Sequence, residues 1–183
     1  MEKRLSFPYG RTLVVGRFVA LASLIVLMAV TVALLPSLSV VPVAVLAVVL
    51  AAYFVLFAVS PLLTEHWITR SRLILRQGWY FRAVIPFADI EAIRALDEIG
   101  PLRAPLGLRR PFGQPALFVT GARTNLVSLR LSRPRRFWQS FGFRASEIVF
   151  DVAERTKFLE ALDERRGLFA PVEADRADAD LRD

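Results

Sequence analysis

Hydrophobic and polar positions fall into two regimes along this chain, and the regimes meet near Thr64. Before that point, the 47 residues from Phe18 to Thr64 contain no Asp, Glu, Lys, Arg or His. A helix that crosses a bilayer needs about 20 apolar residues, so this run is long enough for two crossings and too long for one. Pro36-Ser37-Leu38-Ser39 is its only break with turn chemistry. The pattern therefore predicts a helical hairpin, with helix one from Val14 to Leu35 and helix two from Val40 to Leu63. Both segments are apolar on every face, which favours a lipid surround over a soluble helical pair. The first helix is longer than a signal-peptide core, and a second apolar span follows it.

From Glu65 onward the chain is built of short runs rich in Ile, Val, Leu, Phe and Trp, separated by turn residues. This predicts antiparallel strands at 65–69, 73–76 and 80–85, with Pro86 ending the third because it donates no ladder hydrogen bond. Asp89 to Leu96 fits either one helical turn or a further strand. Ile99 to Pro115 carries three glycines and four prolines and is expected to be a long loop. Ala116–Thr120 and Leu126–Leu131 are predicted as a hairpin, Arg133–Trp138 as a loop, and Glu147–Phe150 as the last strand. Asp151 and Glu154 stand at N-cap and N3 spacing, so both are expected to cap a helix. Val152, Phe158, Leu159 and Leu162 then recur at helical spacing, and Gly167 follows the last turn. The expected organisation is a segment 1–13, a two-helix hairpin 14–63, a β-rich domain 65–167 and an acidic, disordered tail 168–183.

Charge adds orientation. Lys3, Arg4, Arg11 and Arg17 lie before or in the first turn of the first helix, Arg70, Arg72 and Arg76 follow the second, and the turn between them is uncharged. Positive flanks stay inside, which predicts a cell-membrane protein with both termini in the cytoplasm. The chain has no cysteine, so it can hold no thiolate site. Its net charge of +7 is unevenly distributed. No acid occurs between Glu98 and Glu147, a stretch that holds nine arginines.

The segment HWITRSRLILRQGWYFRAVIPFADIEAI, His66 to Ile93, resembles the opening of the bacterial pleckstrin-homology-like domain family. It has a strand ending in a Thr-x-x-Arg turn, a strand of alternating aliphatics, a Gly, a second basic strand and Pro-x-x-Asp-Ile. FDVAERTKFLEAL, Phe150 to Leu162, is similar to that family's last strand and closing helix. The resemblance covers about residues 65–166. It implies an α+β architecture in which the transmembrane hairpin precedes an antiparallel sandwich or barrel closed by one C-terminal helix. It also implies a binding or assembly module with no known catalytic activity.

The residues offer little to catalysis. His66 is the only histidine, and beside Trp67 at the expected membrane exit it reads as an interfacial anchor rather than a base or ligand. No metal-ligand spacing, phosphate loop or nucleophile elbow occurs, so no cofactor and no metal are expected. What remains is LRLSRPRRFWQSFGFRAS, Leu129 to Ser146, with five arginines, four large aromatics and no acid. A domain tethered at the bilayer meets anionic lipid before it meets nucleic acid. The expectation is thus a loop at Arg133, Arg135, Arg136, Phe137 and Trp138 that meets anionic headgroups, joined by Arg109 and Arg110 from the long loop, with no nucleic acid bound. The other reading is a subunit or assembly factor whose arginines grip an acidic protein partner. For this reading, or for a homo-oligomer, the small-residue faces Ala20, Ala22, Ser23 and Ala44, Ala47, Ala51, Ala52 would pack against other helices, although they could equally serve the hairpin itself and so do not discriminate.

Overall fold

A computed structural model describes residues 4–34, 39–96, 105–111, 115–137 and 144–167. The expected tail, most of the long loop, and Trp138 lie outside the described residues.

Helix α1 spans Thr12–Leu34, and helix α2 spans Val40–Tyr53, continuing as a π-helical turn Phe54–Val59 and a 3-10 turn Ser60–Leu63. Both are long and apolar enough to span a membrane. Most of their side chains are exposed: α1 buries only Val14 and Leu21, and α2 buries none. Ala22, Ala47 and Ala51 line an apolar groove of about 450 Å3 between the two helices. The small residues at these positions therefore face the hairpin's own interior.

Among the described residues, nine strands form two sheets. The first sheet holds four, β1 Leu5–Phe7, β2 His66–Ile68, β3 Arg72–Gln77 and β4 Phe81–Pro86, in sequence order and antiparallel. Strand β1 comes before both long helices, yet it pairs with β2 after them, Ser6 opposite Trp67. The helical hairpin is thus inserted between two neighbouring strands of one sheet, and residues 5–7, which the sequence pattern left without an element, belong to the β domain. The second sheet runs β5-β8-β9-β7-β6, with β5 Ile90–Leu96, β6 Gly107–Arg109, β7 Ala116–Thr120, β8 Leu126–Arg136 and β9 Arg144–Asp151. Asp89–Leu96 therefore resolves mainly into a strand. The expected arrangement is corrected at two points: β7 and β8 do not form the predicted hairpin, because β9 lies between them, and β7 pairs with β9 in parallel.

The fold is α+β, and its two sheets share one apolar core. Period-two alternation sends Leu73, Leu75, Phe81, Ala83 and Ile85 of the first sheet and Val127, Leu129, Ile148 and Phe150 of the second into that core. Helix α3, Arg155–Gly167, adds Phe158 and Leu162. The Phe158 ring meets Phe7 edge-on at 5.2 Å and Phe150 at 5.5 Å, so the short β1 is held by packing as well as by its ladder.

Candidate functional site

The arginine-rich stretch is a strand where a loop was expected. Strand β8 continues through Ser132-Arg133-Pro134-Arg135-Arg136, pairing with β9 at Arg135↔Ala145 and Arg136↔Arg144. Pro134 falls where the register shifts between Arg130 and Arg135, a position at which its missing N–H breaks no regular ladder bond. Past the shift, alternation sorts the side chains. Phe137 is 6% exposed and belongs to the core, so it has no face to insert into lipid. The Arg135 guanidinium pairs with Asp89 at 3.0 Å and donates to the Val84 carbonyl at 3.3 Å, tying β8 to the open edge of β4. Arg133, Arg136 and Arg144 are exposed and have no partner among the described residues. Arg136 and Arg144 stand directly opposite each other, a cross-strand pair of like charges.

Arg109 and Arg110 do not join this group. Arg109 pairs with Phe118 on β7, which lies level with Val149 of β9 and Ser128 of β8. Strand spacing then puts it about 14 Å across the sheet and about 25 Å along it from Arg136. Both residues are exposed.

His66 and Trp67, the expected anchors, point to opposite faces of β2. His66 is 1% exposed, inside the core, between the Tyr9 ring at 5.1 Å and the Phe150 edge at 5.5 Å. Its Nδ1 accepts from the Arg76 backbone N–H, and Nε2 has no hydrogen-bond partner among the described residues. Burial lowers its pKa to about 4, against a smaller opposing pull from the Asp151 main chain. A headgroup anchor needs access to lipid, and this imidazole has none. Trp67 lies on the outer face, stacked by Arg76 at 4.7 Å and Arg4 at 5.5 Å.

The richest polar geometry lies at the joint between the β domain and the apolar helices. The Asp151 carboxylate accepts from the backbone N–H groups of Gly10 at 2.6 Å, Gly121 at 2.5 Å and Ala122 at 3.1 Å. It therefore does not cap α3, which begins only at Arg155. The Gly121 and Ala122 donors lie in a buried turn, where an unpaired N–H costs about 1–3 kcal/mol, so the carboxylate is held there rather than at the helix start. Burial raises the Asp151 pKa to about 6, although the three N–H donors pull it the other way. The Gly121 carbonyl in turn accepts from Leu13, one of the orphan N–H donors in the first turn of α1. On the other helix, the Tyr9 hydroxyl donates to the Pro61 carbonyl at 2.6 Å and shares a 2.8 Å bond with Thr64 Oγ1.

The β3–β4 turn completes the joint. Gly78 takes φ +62, donating to Thr64 Oγ1 at 2.9 Å, and the Trp79 N–H donates to Ser60 Oγ at 3.1 Å. Arg17 Nη1 donates to the Phe57 carbonyl at 2.6 Å, inside the π-helical turn, and to the Tyr80 hydroxyl at 3.2 Å. The domain and the helix ends are thus bonded directly, with no linker between them. The sequence signals these residues carry, such as Arg17 as a basic flank and Asp151 at cap spacing, do not report the joint, since each acts there through a partner at least 14 positions away.

This joint defines which end of the domain is which. Strand β8 begins at Leu126, opposite Asp151 and so beside α1, and ends ten residues on at Arg136. The unpaired arginines therefore lie about 30 Å along the strand from the helices. Elsewhere the outer face of the second sheet holds a polar hollow lined by Arg94, Ser128, Arg130, Ser146 and Glu147. Its charges are largely satisfied internally, by Arg130–Glu91 at 3.2 Å and Ser128–Glu147. Among the described residues no three His, Asp or Glu side chains gather as a metal-binding group. Comparisons with protein-family models, curated proteins and solved structures found no match to this chain.

Proposed function

We propose that this chain is a non-catalytic, membrane-anchored binding module of pleckstrin-homology-like architecture. Its two apolar helices sit in the cell membrane with both termini in the cytoplasm, and its β8–β9 arginine end engages an acidic protein partner. The observation that carries this reading is the opposed pair Arg136–Arg144 with Arg133 beside it, unneutralised and about 30 Å along β8 from the helix joint. Like charges held face to face cost stability, and an acidic partner removes that cost when it binds.

The same distance weighs against these arginines meeting the bilayer that anchors them. At physiological ionic strength a charge is screened over about 8 Å, and the rigid joint leaves no linker by which the tip could fold back. The pleckstrin-homology-like assignment is supported by two sheets around one core with α3 packed into it through Phe158 and Leu162.

Photo-cross-linking from position 132 of the full-length chain in cells tests the reading. A discrete protein adduct that disappears in the Arg136→Ser/Arg144→Ser variant supports it. Adducts to lipid alone would return the arginines to the membrane surface, and no adduct at all would remove the site.

A further inference from the structure

From the geometry of the joint we infer that the domain carries a second interaction surface, for anionic lipid headgroups, at its helix end: Trp79 with Arg82, Arg11 and Arg123. It takes the two membrane spans as given and is independent of what the arginine hairpin binds.

Helix geometry fixes the depth. From Arg17 to Leu34 and from Val40 to Phe57 there are 18 residues each. At 1.5 Å per residue both are about 27 Å long, close to the ~30 Å hydrocarbon core of a bilayer. Arg17 and Phe57 are joined by the 2.6 Å bond from guanidinium to carbonyl, so they mark one level on both helices. That level is the hydrocarbon boundary, and a charge there is kept satisfied by the Phe57 carbonyl and the Tyr80 hydroxyl. The last turns beyond it, through Leu63, then stand in the headgroup zone.

The β domain begins at the same level. Tyr80 packs its ring on Phe57 at 5.0 Å, and the neighbouring Trp79 is held by Ser60 through its backbone N–H while its side chain stays 56% exposed. An exposed Trp and a Tyr at this height form the amphipathic belt that membrane interfaces favour. Around them the exposed cations are Arg82, two residues beyond Tyr80, Arg11, adjacent to the clamped Gly10, and Arg123, adjacent to the clamped Ala122. None of the three has a partner among the described residues. A basic side chain at the surface of an anionic leaflet attracts its headgroups; Arg82 is held there by the β3–β4 ladder, opposite Arg76, and Arg11 and Arg123 adjoin clamped residues, so none hangs on a flexible tether.

The test uses the full-length chain reconstituted in vesicles of mixed anionic and zwitterionic phospholipid. In one variant Trp67→Phe and Trp138→Phe leave Trp79 as the only tryptophan; in the other, Trp79→Phe and Trp138→Phe leave Trp67. Lipids brominated near the glycerol end should quench Trp79 strongly and Trp67 hardly at all. Spin-labelled lipids should show a preference for anionic over zwitterionic headgroups of about fivefold for each arginine engaged. That preference should fall towards one in the Arg11→Gln/Arg82→Gln/Arg123→Gln variant, with its thermal transition intact. If the triple variant loses that transition, Arg123→Gln alone carries the same comparison. An unquenched Trp79, or an unchanged lipid preference after the arginines are neutralised, would overturn the inference. Failure of the chain to insert would overturn both it and the two-span reading.

Discussion

The Asp151 carboxylate accepts a 2.6 Å hydrogen bond from the backbone N–H of Gly10, 141 residues away along the chain. Two residues after Gly10 the first apolar helix begins, so a buried side chain at the end of the last strand fixes where that helix leaves the domain. Replacing Asp151 by Ala strands three N–H donors, at Gly10, Gly121 and Ala122. Each lost acceptor in a buried site costs about 1–3 kcal/mol, so a loss of at least 3 kcal/mol is expected. Limited trypsin digestion in detergent reads it out, because Arg11 lies within the released segment. Asp151→Ala should be cut there many times faster than the wild type, and an unchanged rate would mean that the joint is held without this carboxylate.

Asp151 and His66 should give the protein a pH profile made of two opposing parts. Asp151 has its pKa raised from 3.8 to about 6, so the proton-linked part of its contribution, separate from its three N–H bonds, is full below pH 3.8 and is lost as pH rises through about 6. His66 is lowered from 6.5 to about 4, so its contribution is full above pH 6.5 and is lost as pH falls through about 4. Between pH 4 and 6 the slopes are each about 1.4 kcal/mol per unit and opposite in sign, so they nearly cancel. Thermal midpoints of single variants should separate them. On acidification from pH 7 to 5, His66→Gln should gain stability relative to the wild type and Asp151→Asn should lose it. Parallel profiles for the two variants would refute the assignment.

Gly10 and Gly121 meet backbone to backbone beside the Asp151 clamp. A Cβ on Gly121 would lie 2.1 Å from the Gly10 carbonyl oxygen, and a Cβ on Gly10 would lie 2.2 Å from the Ala122 Cβ. Neither neighbour can retreat, because each is held by Asp151. Gly121→Ala should therefore cost about 1–3 kcal/mol or more through forced backbone movement. Gly16 is the control, since nothing lies within 4 Å of its added Cβ and it sits inside α1. Gly16→Ala should be stabilising by about 0.5–1 kcal/mol through helix propensity. Chemical unfolding in mixed micelles measures both, and equal effects would mean that the close approach is not rigid.

How much of this was legible in the sequence depended on whether a residue's partner was near it. The second helix was readable to its bounds, Val40–Leu63, because 47 uncharged residues and one turn leave few alternatives. Strands β3 and β4 were readable from alternation and from Gly78. Strand β1 was not, since three residues show no periodicity and its partner β2 lies some 60 positions away. Asp151 was misread as a helix cap because the spacing to Glu154 is local information, whereas the donors that win it come from Gly10 and Gly121. The arginine stretch was misread as a loop because charge and Pro134 suggest solvent, and neither reports that a register shift accommodates the proline. The one local hint was Phe137, a large apolar side chain next to Arg136, which alternation sends inward.

That alternation predicts a sharp contrast between neighbours. Phe137 is a core residue, so Phe137→Ala should cost about 3–5 kcal/mol, as truncation of a buried aromatic does. Arg136 and Arg144 face each other across the ladder, and removing one charge relieves a repulsion while sacrificing no bond among the described residues. Arg136→Ser should therefore leave the domain as stable as before or firmer by about 0.2–1 kcal/mol, and the effect should shrink in high salt. Arg135→Ser should lie between the two. Its ties to Asp89 and to the Val84 carbonyl are partly exposed, which limits their worth to about 1 kcal/mol. Denaturant midpoints of the three variants give the ranking. If Arg136→Ser proved as damaging as Phe137→Ala, the arginines would be structural and the partner-binding reading would lose its basis. A stabilising Arg136→Ser that abolishes the protein cross-link would show a surface that gives up stability for binding.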